Sequence, residues 1–156
     1  MPTIQAETDA VVRVVLACVC GSDLWFYRGL EEHTEGGSVG HEFIGVVEEV
    51  GAGVQNIRKG DFVISPFADS DGTCVHCQAG FQTACNNLSF FGQGGDGDGG
   101  QAEYIRVPYA DGTLFTVPAG DYSDDMLASF LTLSDVMGTG YHAAVSAGVK
   151  AGDTVG

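Results

Sequence analysis

Three short pieces of this chain carry residue types able to do chemistry: Cys20-Gly21-Ser22-Asp23, Gly40-His41-Glu42-Phe43-Ile44-Gly45 and Leu133-Ser134-Asp135-Val136-Met137-Gly138-Thr139-Gly140. Taken singly they read as a buried thiol, a core histidine and a helix-capping aspartate. A fourth piece gathers Cys74, Cys77 and Cys85 within a dozen residues. The chain has five cysteines, an odd number, so a complete disulfide framework is excluded. Its first residues lack the basic end and apolar core of a secretory signal. The thiols are therefore expected to be reduced, in a cytoplasmic protein, where clustered cysteines are metal ligands or catalytic groups before anything else. Cys18 lies two residues from Cys20, and on a strand both would face the same side.

The elements that must position these residues are short strands. Segments 10–18, 43–50, 61–67, 102–107 and 113–117 have strand character, with Gly51-Ala52-Gly53, Lys59-Gly60-Asp61 and Ala110-Asp111-Gly112 as turns. Strands at this spacing predict a barrel or sandwich rather than a parallel α/β sheet. Glycine supplies 24 of 156 residues, which favours bulges and tight turns over long helices. From Asp124 the pattern changes: Ser123 or Asp124 caps a helix through Met126, Leu127, Phe130 and Leu131, and a second helix is expected over 141–147. Residues 150–156 read as a turn entering a new strand. Segment 92–100 reads as a flexible glycine loop; its G-x-G-x-x-G at 92–97 lacks the strand before and helix after that a dinucleotide loop needs.

Charge bears on the partners. Six basic against 21 acidic residues leave a net charge of -15, which argues against nucleic acid and anionic membranes as partners because little is there to neutralise phosphates. The longest apolar run, 14–19, is far short of the ~20 residues that span a bilayer.

The stretch Gly40-His41-Glu42-x2-Gly45-x5-Gly51-x2-Val54, together with the other pieces in their order, resembles the zinc-dependent medium-chain dehydrogenase/reductase family of alcohol dehydrogenase type. The similarity runs from Val11 to Gly156. It implies a mainly β, GroES-like partly open barrel with C-terminal helices. The catalytic domain would cover 1–122, lacking the family's opening hairpin. Residues 123–156 would be connecting helices and the truncated start of a nucleotide-binding domain of Rossmann type, which is otherwise absent. The chain is thus expected to be a fragment of an NAD(P)-linked oxidoreductase acting on an alcohol, polyol or aldehyde, with no nicotinamide-binding residue of its own and no turnover alone.

By the same resemblance, Cys20, His41 and Asp135 hold the catalytic zinc. Such a zinc takes three protein ligands of N, S or O type and leaves one position open, where a bound hydroxyl loses its proton more easily. Carboxylate in place of a second thiolate keeps the charge balance but weakens the preference for zinc. Glu42, on the opposite strand face from His41, is expected to be an outer or exchanging ligand, with a plain polar residue as its rival reading. Ser22 matches the position that takes the substrate's hydroxyl proton; Trp25 stands where many relatives have the next relay histidine, so solvent would serve instead. Trp25, Phe26, Tyr27 and Phe67 are expected to line the substrate cleft, beside the competing reading as core aromatics. Asp71-x2-Cys74-x2-Cys77-x7-Cys85 matches the structural-zinc lobe with Asp71 for the first cysteine. His76 is the alternative fourth ligand, and a metal-free loop is the rival reading. His33 and His142 read as ordinary polar positions. Unpaired sheet edges predict a homo-oligomer. The alternative function is a stand-alone zinc-binding or interaction module without redox chemistry. A zinc-free quinone reductase lacks the Cys20, His41, Asp135 set.

Overall fold

The computed structural model describes residues 1–93 and 98–156. Its frame is one antiparallel sheet of five strands in the order β4-β1-β2-β3-β5. β1 (Ala10–Ala17) and β2 (Phe43–Val50) are long β-branched runs that form its centre. β3 (Phe62–Ser65), β4 (Tyr104–Val107) and β5 (Phe115–Val117) complete it. The register places Gly45 opposite Val14, with irregularities between Val11 and Val12 and between Val14 and Leu16.

Alternation along β2 explains the two apolar layers. Phe43 and Val47 join Val12, Val63, Ile105 and Val107 in the main core, whereas Ile44 turns to the other face and packs with Ile64 and Leu131. Leu131 belongs to α4 (Asp124–Thr132), the helix that covers this second face. The Ser123 hydroxyl caps α4 by accepting the Met126 N–H at 3.3 Å, with Asp124 and Asp125 in the first turn where the helix dipole favours acids. This is the mainly β, partly open GroES-like architecture expected.

Several boundaries differ from expectation for local reasons. β5 starts at Phe115, because residues 110–113 form a helical turn, α3 (Ala110–Thr113), whose Thr113 Oγ1 accepts the Ser70 N–H. The second C-terminal helix, α5 (Val136–Ser146), begins five residues before the position expected for it and runs through Gly138 and Gly140. Glycine in a helix interior costs only about 1 kcal/mol relative to alanine, and the intact backbone ladder outweighs it. No strand forms in 150–156; the Asp153 carboxylate accepts the Lys150 N–H and closes a turn there instead. A short helix, α1 (Asp23–Tyr27), follows Cys20, and another, α2 (Val75–Gln78), lies in the cysteine lobe. The glycine loop expected at 92–100 falls partly outside the described residues, and so does its G-x-G-x-x-G. Among the described residues no helix is long and apolar enough to cross a membrane.

Candidate metal centre and substrate cleft

Three elements converge where β1 and β2 begin to diverge. Cys20 comes from the loop after β1, His41 from the segment entering β2, and Asp135 from the junction of α4 and α5. Glycines make the approach feasible. Gly40 has φ +91° and its missing Cβ would lie 2.5 Å from Gln101 Cγ; a Cβ on Gly45 would meet the Arg13 carbonyl oxygen at 2.3 Å. The Gly40–Gly45 spacing therefore lets the His41 segment press against β1 and the 101 region without side chains between them.

Asp135 is anchored from behind. The Phe67 N–H donates to the Ser134 carbonyl at 3.0 Å, and buried Ser134 donates its hydroxyl to the Phe43 carbonyl at 3.3 Å. Asp135 is the N-cap residue of α5, yet its side chain makes no capping bond to the helix backbone. Its Oδ1 accepts the Thr139 hydroxyl at 2.7 Å, and its Oδ2 lies 3.6 Å from His41 Nε2. The other ring nitrogen, His41 Nδ1, lies 3.4 Å from Asp23 Oδ1. Asp23 Oδ2 in turn accepts the Cys20 N–H at 2.8 Å and the Gln101 side-chain amide at 3.3 Å. Asp23 thus orients both the imidazole and the loop bearing the thiol. Nothing in the sequence assigns Asp23 this role; the signal for it is its place in the Cys20-Gly21-Ser22-Asp23 piece.

One ligand atom each from Cys20, His41 and Asp135 falls within 4.8 Å of the others. Tetrahedral zinc with bonds of about 2.0–2.3 Å spaces its ligands by roughly 3.3–3.8 Å, so the 3.6 Å between His41 and Asp135 already suits it. Thiolate, imidazole and carboxylate are three donors of the right kind, and they leave a fourth position free. Glu42 is not in this group. It is 2 % exposed, its Oε2 accepts the Cys18 thiol at 2.9 Å, and its Oε1 has no hydrogen-bond partner among the described residues. Burial first, then the Glu42 contact, pushes the Cys18 thiol up to about 12, so it stays a protonated donor.

A cleft of about 220 Å³ opens beside these residues, lined by Ser22, Trp25, Phe26, Glu31, His41, Phe67, Phe90, Phe91, Gln93 and Asp135. Phe67 stacks on Phe90 with centroids 5.9 Å apart, and Trp25 is half exposed. The structure thus brings Trp25, Phe26 and Phe67 to the same cleft as the candidate ligands, whereas Tyr27 is exposed and outside the lining. Ser22 Oγ lies 3.4 Å from His41 Nε2 and is open to solvent.

The second candidate centre is built around α2. Asp71, Cys74, Cys77 and Cys85 also offer ligand atoms within 4.8 Å of one another, and His76 is not in the group. Asp71 Oδ1 accepts the Thr73 and Cys74 N–H groups and Oδ2 accepts the Asn87 side-chain amide. Those bonds hold its carboxyl well below the usual range. Backbone N–H groups from Asp71 and Asn87 point at the Cys85 sulfur at 3.3 and 3.4 Å. Backbone donors lower the Cys74 thiol, whereas burial pushes Cys77 up to about 12. Three sulfurs and a carboxylate with a lone pair to spare on Oδ2 form a donor set that zinc accepts.

The family of the alcohol dehydrogenase GroES-like domain matches residues 6–119. The chain belongs to that family. A zinc-type alcohol dehydrogenase B of Aspergillus flavus is 44% identical to this GroES-like chain over 148 residues, covering 94% of it and 33% of the relative. A medium-chain reductase/dehydrogenase of an Acremonium species is 42% identical, covering 94% of the chain and 49% of its own length. Among solved structures, the alcohol dehydrogenase TADH of Thermus sp. ATN1 superposes with a TM-score of 0.87 at 35% identity, over 97% of the GroES-like chain and 44% of that protein. The GroES-like chain therefore spans between a third and a half of these relatives.

Proposed function

We propose that this chain is the metal-binding part of a zinc-dependent, NAD(P)-linked oxidoreductase that interconverts alcohols and aldehydes. The observation that carries this reading is the convergence of Cys20, His41 and Asp135 on one point at an aromatic cleft. Those three residues would hold the catalytic zinc; Asp71, Cys74, Cys77 and Cys85 would hold a structural one. When bound, catalytic zinc supplies Lewis acidity at its open position, which lowers the pKa of a substrate hydroxyl there. The chain's own residues do the rest. Trp25, Phe67, Phe90 and Phe91 bind the carbon skeleton and exclude water. Ser22 takes the hydroxyl proton and passes it to solvent, since Trp25 offers no onward acceptor. The nicotinamide that accepts hydride, NAD or NADP, is assigned to the length of the relatives outside the match, and residues 123–156 to the connection towards it.

Among the described residues the lining carries Glu31 and Asp135 and no lysine or arginine, within a chain of net charge -15. The substrate is therefore a neutral small alcohol or aldehyde rather than a phosphorylated or carboxylated one. The test is metal content by mass spectrometry after zinc loading, with D135A and C85S as separate probes. We expect two zinc ions per chain, falling to one in each variant. Loading that is indifferent to D135A overturns the catalytic assignment.

A further inference from the structure

We propose that Cys18 is a positioning residue for Glu42: its thiol latches the carboxylate outside the ligand set, keeping the fourth position of a bound metal open to substrate. This rests on the metal reading above and adds to it a residue and a role. Glu42 follows the ligand His41 directly, and Cys18 precedes the ligand Cys20 by two residues. The two are tied twice, by the Cys18 N–H to the Glu42 carbonyl at 3.3 Å and by the Cys18 thiol to Glu42 Oε2 at 2.9 Å. The carboxylate is almost fully buried and its Oε1 meets no hydrogen-bond donor among the described residues. A desolvated carboxylate with a free oxygen accepts any positive partner it can reach, because the lost hydration is otherwise uncompensated. A divalent ion on the neighbouring ligands is such a partner. What holds Glu42 back is one weak donor, the Cys18 S–H. Removing that donor leaves both oxygens free and shifts the carboxylate towards the metal, where it competes with an incoming ligand.

The experiment uses cobalt(II) in place of zinc, with azide as the probe of the open position, followed by visible absorption. A closed four-ligand centre has no position for azide, so the azide-dependent change reports the catalytic site alone. Loss of a hydrogen bond to a charged group predicts that C18A weakens azide binding about tenfold or more. C18S, which keeps a donor, stays close to the wild-type chain. In an E42A background, C18A has no further effect, because nothing remains to be latched. Should C18A fail to fold, C18V, nearer in volume, gives the same comparison. Azide affinity unmoved by C18A, or an equal loss in the E42A background, overturns the latch while leaving the metal site standing. Absence of any cobalt absorption in the wild-type chain overturns the metal reading and the latch together.

Discussion

Asp23 Oδ1 lies 3.4 Å from Nδ1 of His41, on the side of the ring opposite Asp135. A carboxylate behind a ligating imidazole fixes its tautomer and orientation and raises its basicity. The same Asp23 also accepts the Cys20 N–H, so one side chain orders two candidate ligands. D23N is expected to weaken metal binding at this centre by about 10–100-fold, the usual effect of removing such a partner. Competition with a chelator of known affinity measures it, and unchanged affinity contradicts the role.

Asp69 and Asp71 stand two residues apart with opposite shifts. Burial raises the Asp69 carboxyl above its ordinary 3.8, whereas backbone donors lower that of Asp71. A raised carboxyl favours the folded state most at low pH, an advantage lost as pH rises through its folded value. A lowered one stabilises above 3.8, and that stability is lost as pH falls. D69N keeps an oxygen for the Ser89 N–H, so it is expected to raise the melting temperature at pH 7 with little gain near pH 3. D71N should lower it at pH 7 and converge with wild type in acid. Thermal melts of the metal-free chain across pH decide both signs.

Gly45 has no room for a side chain against the Arg13 carbonyl and Val12 Cγ1. G45A is expected to cost roughly 1–3 kcal/mol through forced separation of β1 and β2. Because those strands carry Cys20 and His41 at their ends, metal affinity should fall with stability. Urea denaturation and metal titration of the same sample test the coupling.

Trp25 is the one tryptophan of the chain and lines the cleft at 52 % exposure. Filling the cleft should dry its indole. Benzyl alcohol is expected to shift Trp25 emission to the blue in the zinc-loaded chain, and benzoate to do so only at far higher concentration. Equal responses to the two would contradict the neutral-substrate reading.

Much of this was legible in the sequence because it depends on local pattern. Residues 43–50 are rich in β-branched and aromatic types and bounded by glycine turns, and the observed β2 has the same bounds. The Ser123 cap and the apolar stripe of α4 are equally local. Boundaries failed where a distant partner decided them. Thr113 leaves its expected strand for a helical turn tied to Ser70, and α5 starts early, at Val136, despite its glycines.

The candidate site divides along the same line. The residue types on offer and, through their order, the family they resemble can be read from the chain without its fold. Its net charge of -15 is legible there too. It is packing that brings one Asp135 oxygen towards His41 while the other holds Thr139, sets Asp23 behind that imidazole, and ties Cys18 to Glu42. The contacts to His41 and to Glu42 join residues from 18 to 94 positions apart in the chain. Pairings at such separation are set by how β1, β2 and the α4–α5 junction pack, and no local propensity encodes them.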